Sequence, residues 1–376
     1  MAGYVPARIG RPVAEIDTPS LVIDLDAFER NLEALPRSVA GRGLRVRTHA
    51  KTHKCPEIAR RQIAAGAIGV CCQKVAEAEA MVEGGVGDVL VSNQVVGASK
   101  LERLARLARR ANIGVCVDDA GNVEAIAAAA QAADVTLDVY VEVDVGARRC
   151  GVAPGDPVAA LARKVKASAS LRFAGLQAYQ GAAQHIRSAG QRRAAIEKAA
   201  EGVRVSRMSL AASGIDCPSV TGAGSGSYLF EAESGAWNEI QPGSYVFMDA
   251  DYAKNEWVAP QHRFEHALFV LATVMSRAIP GHAVLDAGLK ASSVDSGLPS
   301  VWRLPGVHCT RVSDEHAVLE SNADAPELRL GQKLLLVPGH CDPTVNLYDW
   351  YVCVRGGMDK GTVEAFWPIT ARGAVY

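Results

Sequence analysis

Between residues 44 and 250 the chain alternates two patterns. Short, mostly apolar runs bounded by turn residues read as buried parallel strands. The stretches between them are rich in Ala, Arg and Glu and read as helices, as at 74–83 and 100–110. Eight strand-like runs recur: 44–51, 69–73, 89–93, 113–118, 137–144, 173–179, a short one at 219–221, and 239–248. Eight such repeats predict a (β/α)8 TIM barrel over 26–250, whose working face is the C-terminal end of the strands. Ahead of it, 19–24 reads as a strand, and Asp26 as the cap of a helix whose Phe28, Leu32 and Leu35 share a face. After about residue 250 helical runs vanish, and strands follow at 268–275, 283–285, 333–337, 350–354 and 363–368 with Pro and Gly between them. A C-terminal β-rich domain is therefore predicted over 251–376. The segment 1–25 has no place in the barrel and is assigned to that domain.

Several strands end in a polar residue: Lys51, Gln73, Asn93, Asp118 and Asp144. Each could cap the next helix, yet their repetition on one face argues for a polar mouth above an apolar barrel. Lys51 closes the first strand, and a lysine amine there can form a Schiff base with a carbonyl or with pyridoxal phosphate. Lys54 is the nearby competitor, in the next loop or helix start. After strand seven, Thr221-Gly222-Ala223-Gly224-Ser225-Gly226-Ser227 is either a flexible turn or the phosphate cradle common at that point of a barrel. After strand five, an arginine of Arg148-Arg149 could face an acidic substrate, a surface carboxylate or a cofactor ring nitrogen. Finally, Gly339-His340-Cys341-Asp342-Pro343-Thr344 offers metal ligands. If extended, it sets His340 and Asp342 on one side and Cys341 on the other, an N/O pair suited to Mn²⁺, Mg²⁺ or Zn²⁺. The alternative is a structural turn with Asp342 as cap before Pro343.

Composition narrows the classes. A net charge of −1 and an isoelectric point near 6.8 argue against nucleic acid as partner, because backbone binding needs a basic face. No run of about 18 apolar residues suggests a membrane span, and the first residues lack the apolar core of a signal peptide. The nine cysteines form no CxxC pair and sit mostly in apolar runs (Cys71, Cys72, Cys116, Cys150). They read as reduced packing residues of a cytoplasmic protein.

Five motifs together resemble the fold-type III pyridoxal-phosphate enzymes of the D-threonine aldolase and D-serine dehydratase branch. They are His49-Ala50-Lys51-Thr52-His53-Lys54-Cys55, Val70-Cys71-Cys72-Gln73-Lys74, Gly175-Leu176-Gln177-Ala178-Tyr179-Gln180-Gly181, Asp286-Ala287-Gly288-Leu289-Lys290 and the 339–344 segment. The last, with Val294-Asp295-Ser296-Gly297-Leu298-Pro299, is similar to 3-hydroxy-D-aspartate aldolases. The resemblance covers nearly the whole chain. It implies a homodimer, with residues of both chains at the mouth. It also implies that Lys51 is the Schiff-base lysine and that Arg149 faces the pyridine nitrogen. Thr221, Gly222, Ala223 and Gly224 would bind the phosphate, with Gln73, Tyr179 and Tyr245 near the cofactor. His340 and Asp342 would be divalent-metal ligands, and His185 the histidine acting beside the metal. Ala223 departs from the glycine usual in such loops.

The implied reaction is metal-assisted cleavage of D-3-hydroxy amino acids, such as D-threonine or 3-hydroxy-D-aspartate, to glycine and an aldehyde. A dehydratase of D-serine or 3-hydroxyaspartate is the rival on the same scaffold, but that branch shows His-x-Cys where this chain has His340-x-Asp342. A racemase would need a second base and no metal. A non-catalytic carrier would leave His185, His340 and Asp342 without work.

Overall fold

A computed structural model describes residues 5–259 and 263–376. Residues 1–4 and 260–262, parts of the two segments assigned above to the second domain, lie outside the described residues.

The barrel closes through an interrupted first strand. Arg45–Val46 pairs in parallel with Glu239–Ile240, while Thr48–His49 pairs in parallel with Val70–Cys72. Arg47 stands between the two pieces. Its N–H still bonds to Ile240 O at 2.9 Å, so the pieces act as one strand bordering both the last and the second. The remaining strands follow in sequence order: Asp88–Gln94, Asn112–Val117, Leu137–Glu142, Leu171–Ala178 and Val220–Gly222. Alternation along each strand sorts its residues. Val115 and Val117 face outward to pack with helix residues Leu104, Ile126 and Val158, all buried. Cys71, Leu90, Cys116 and Tyr140 form an interior cluster. Burying each such aliphatic side chain contributes about 1.5–3 kcal/mol over leaving it exposed. At the N-terminal end of the strands, buried Arg47 donates to Glu239 and Asp88, and Arg172 to Asp138. Those charges face away from the working end.

The eighth strand is shorter than its apolar run suggests. Only Glu239–Ile240 is strand, and a tight turn at Ser244–Val246 follows, because Pro242 cannot donate to a ladder. Helix Leu25–Val39 is capped by Asp24, whose carboxylate accepts from the N–H groups of Asp26 and Ala27. Asp26 is thus inside the helix, and one of its oxygens accepts from Arg355 at 2.9 Å. None of Asn93, Asp118 and Asp144 caps a helix: Asn93 donates to Gln73 O, Asp118 accepts from Gly151 N–H, and Asp144 accepts from Gly146 and Arg148 N–H.

The second unit is a mixed sheet ordered Val307–Val312, Ala317–Ser321, His282–Leu285, Leu268–Ser276, Ser20–Asp24, Trp350–Arg355 and Thr362–Pro368, with Lys333–Val337 and Ser300–Val301 on a branch. Ser20–Asp24 lies antiparallel to Leu268–Ser276 and parallel to Trp350–Arg355. Helix does not vanish from this half, because Cys341–Val345 forms a short one. Among the described residues no helix is long and apolar enough to cross a membrane.

Candidate active site

Strand Thr48–His49 runs directly into a helical turn, Ala50–Thr52. Lys51 therefore sits just past the strand end, at the barrel mouth, rather than within the strand. Its ammonium forms an ion pair with Asp342. Burial disfavours the charged amine, but Asp342 outweighs that and moves its pKa up. The same pairing, with help from His340, holds the Asp342 carboxyl well below the usual range against the upward push of burial. Lys54 is otherwise engaged. It is buried, paired with Glu77, and Glu77 also accepts from Gln73 and Lys74 N–H.

Beside Lys51 is a cavity of about 290 Å³. Of the residues singled out by sequence, Lys51, Gln73, Arg149, Tyr179, Ala223, Gly224 and Ser225 line it. One wall must be small. A Cβ on Gly224 would lie 2.5 Å from Gln184 Oε1, and one on Gly243 would lie 2.6 Å from Thr52 Oγ1. Ala223 has φ +72°, a left-handed conformation that strains an alanine and suits the glycine usual there. Behind this loop Gln184 accepts from Gly226 N–H at 3.0 Å and donates to Ser227 Oγ at 2.6 Å. Ser227 in turn donates to Glu231 Oε1 at 2.8 Å, while the buried Glu231 Oε2 has no partner. Burial pushes the Glu231 carboxyl up to about 7, against the pull of Ser227.

Opposite, the Arg149 guanidinium lies 5.7 Å from the Tyr179 ring centroid and 4.0 Å from Glu142 Oε1. His49, which sequence reasoning passed over except as part of a motif, also lines the cavity and touches Gln73 Nε2 at 2.9 Å. Burial, then the Lys51 charge, lower its pKa well below the usual value, so the ring is neutral near pH 7. Its position two residues before Lys51 could have marked it. Ser92, Gln241, Ser244 and Tyr252 also line the cavity, and no local pattern marked them.

Other predicted residues lie outside the lining. The Thr221 hydroxyl donates to Glu239 at 2.8 Å, inside the barrel. Gly222 backs the wall, where a Cβ would strike Ala178 O at 2.1 Å. Tyr245 OH accepts from Gln62 at 3.3 Å, and its N–H donates to Ser225 Oγ at 2.9 Å. His185 closes the turn Gly181–His185, half-exposed, with its ring 6.1 Å from that of Tyr252.

The 339–344 segment is not extended. His340 is the residue before helix Cys341–Val345, and Pro343 is accommodated in the first turn, where its missing N–H costs nothing. His340 Nε2 and Asp342 Oδ1 still face each other at 3.9 Å, and Cys341 is buried away from them. That Asp342 oxygen is buried without a hydrogen-bond partner. His340 Nδ1 lies 2.8 Å from Asp295 Oδ2, the carboxylate–histidine arrangement that orients a metal-binding ring. Asp295 was noted by sequence only within a motif. Among the described residues no cluster of three or more His, Cys, Asp or Glu forms a complete protein cage. The pair fits a hard cation that keeps water or substrate oxygens in its remaining positions. The cradle, the lysine and the arginine fit pyridoxal phosphate. A larger cavity, of about 750 Å³ and lined by Asp24, Arg30 and Trp302 among others, contains none of these residues.

Residues 23–251 match the family described as alanine racemase, N-terminal domain, and residues 267–354 match a serine dehydratase domain. The chain is 47% identical to a 3-hydroxy-D-aspartate aldolase of Paracoccus denitrificans (strain Pd 1222), covering 100% of this chain and 97% of the relative. It is 29% identical to a D-threo-3-hydroxyaspartate dehydratase of Delftia sp. (strain HT23), over 88% and 92% of the two chains. The crystal structure of D-threonine aldolase from Filomicrobium marinum superposes with a TM-score of 0.96 at 51% identity, covering 100% of both chains.

Proposed function

The chain belongs to the D-threonine aldolase and 3-hydroxy-D-aspartate aldolase family of alanine racemase-like pyridoxal-phosphate enzymes, and from that premise we propose that it cleaves D-3-hydroxy amino acids with the help of a divalent metal. The products are glycine and an aldehyde, glyoxylate from 3-hydroxy-D-aspartate or acetaldehyde from D-threonine. One observation carries the reading: Asp342 joins Lys51 on one oxygen to His340 across the other, so the lysine and the metal-type pair share one site.

Pyridoxal phosphate, when bound, supplies the electron sink for the carbanion left at Cα. A divalent ion, Mg²⁺ or Mn²⁺, supplies a Lewis acid for the β-hydroxyl. The protein does the rest. Lys51 provides the amine that tethers the cofactor. Arg149 would face the ring nitrogen of a bound cofactor, as a hydrogen-bond donor with no acceptor atom. The backbone of 221–224 would offer N–H donors to the phosphate, and Gln73, Tyr179 and Tyr245 are the further residues we assign to holding the cofactor. His340 and Asp342 would hold the ion, and Asp295, in contact with His340 Nδ1, would fix that ring. His185 takes the β-hydroxyl proton. The functional division assigned is 26–250 for the cofactor barrel and 1–25 with 251–376 for the metal-bearing β domain, in a cytoplasmic homodimer.

The test is incubation of the purified protein with D-threonine and with 3-hydroxy-D-aspartate, with and without EDTA, and identification of products. Glycine plus aldehyde, lost with EDTA and restored by Mn²⁺, is expected. Ammonia plus a keto acid would replace this reading with the dehydratase.

A further inference from the structure

Two side chains outside the cavity act on His185. Its Nδ1 lies 2.7 Å from Asp251 Oδ2. Asp251 Oδ1 accepts from Arg187 Nη2, and the other arm of that guanidinium donates to Asp251 O and to Asn255 Oδ1, both at 2.8 Å. Asn255 then donates to Gln184 O at 3.0 Å, so the clamp is anchored in the turn that carries His185. The Asp251 side chain is only 8% exposed, whereas that of His185 is 55% exposed. This is a buried, clamped carboxylate holding a more exposed ring by one nitrogen.

We propose that Asp251, clamped by Arg187, is a positioning residue that fixes the tautomer and orientation of His185. This deepens the assignment of His185 as the base and rests on it. Burial would favour a protonated Asp251, but Arg187 and then His185 outweigh it and lower its pKa. Asp251 is therefore an ionised carboxylate, and a carboxylate only accepts hydrogen bonds. The hydrogen of the neutral ring must then lie on Nδ1. Nε2 is left with its lone pair, the atom able to take a proton from a β-hydroxyl. The ring leans on Tyr252, which lines the cavity.

Asp251→Asn is the informative change, because it keeps the shape and reverses the demand. An amide can donate to Nδ1, which moves the ring hydrogen to Nε2 and blocks the acceptor. In the holoenzyme with Mn²⁺ and D-threonine, kcat is expected to fall about 10²-fold, within the range set by loss of a general base. KM and the visible absorbance of bound pyridoxal phosphate should not change. The double variant His185→Asn/Asp251→Asn should be no slower than His185→Asn alone, since the two act as a unit. If Asp251→Asn does not fold, Arg187→Gln takes its place: it frees the carboxylate and should lower kcat about tenfold at constant KM. Full turnover in His185→Asn would overturn the base assignment itself. A slow His185→Asn beside a normal Asp251→Asn (or a normal Arg187→Gln where that variant stands in) would overturn only the positioning role, and so would a rise in KM that accounts for the loss.

Discussion

Glu231→Gln should stabilise the protein, and by an amount that grows with pH. Glu231 is fully buried behind the glycine loop, one oxygen accepting from Ser227 and the other without a partner. Burial raises its pKa from an ordinary 4.5 to about 7. The folded state thus holds a proton that the unfolded chain gives up above pH 4.5. Stability falls by about 1.4 kcal/mol per pH unit across that interval and levels off above the folded pKa. The total loss is about 3 kcal/mol. Glutamine has the same shape and no proton to lose, so its advantage over the parent is small near pH 4.5 and largest near pH 8. Between pH 5.5 and pH 8 it should grow by about 2 kcal/mol. With about 2.1 cal/mol/K of unfolding entropy per residue, 376 residues give about 0.8 kcal/mol/K and a relative rise in Tm of about 2.5 °C. Scanning calorimetry of both proteins at the two pH values, with saturating pyridoxal phosphate throughout, measures it. A Tm difference that is the same at both pH values, or that turns against the variant at pH 8, would show that Glu231 is ionised in the fold and refute the reasoning.

Lys51→Ala should abolish the visible absorbance of bound pyridoxal phosphate. Lys54→Ala should keep it and instead lose about 3 kcal/mol in urea unfolding, the usual cost of leaving Glu77 buried without its partner; a spectrum that follows Lys54 would reverse the assignment. Ala223→Gly should raise stability by about 1 kcal/mol by relieving the left-handed strain, and a lowered urea midpoint would count against that. Asp295→Asn should weaken Mn²⁺ binding about 10- to 100-fold in a titration while the cofactor spectrum holds; unchanged affinity would remove Asp295 from the metal site. Asp342→Ala should eliminate metal-dependent turnover with the spectrum intact, and Cys341→Ser should retain it, since that thiol points away.

What could be read from sequence was what has a period. Buried parallel strands write continuous apolar runs, so the barrel strands appeared near their true positions, Leu137–Glu142 and Leu171–Ala178 among them. Where local chemistry interrupts the period, the reading slipped. Pro242 shortened the eighth strand, and Pro343 helped turn an expected extended segment into a helix start. The His340 and Asp342 pair faces across 3.9 Å all the same, because a residue before a helix and one in its first turn can also share a side. Glycine spacing marked the wall of the cavity at Ala223 and Gly224, but not which hydroxyls reach it: Thr221 turns inward to Glu239. Tyr252 and Asp251 were not legible. Their importance comes from where the segment after the last barrel strand returns, beside the turn at His185, and no local pattern encodes that return.

The place of Ser20–Asp24 has a consequence for synthesis of the chain. This strand is made before both of its neighbours in the sheet, Leu268–Ser276 and Trp350–Arg355. The barrel between them can close while Leu21, Val22 and Ile23 are still waiting for a partner. Those residues are almost wholly buried in the finished protein. Until the later strands emerge they form an unpaired apolar edge, the kind of surface that seeks the edge of another chain. A nascent chain stalled after the barrel would therefore be prone to aggregate through Ser20–Asp24 rather than through its unfinished end.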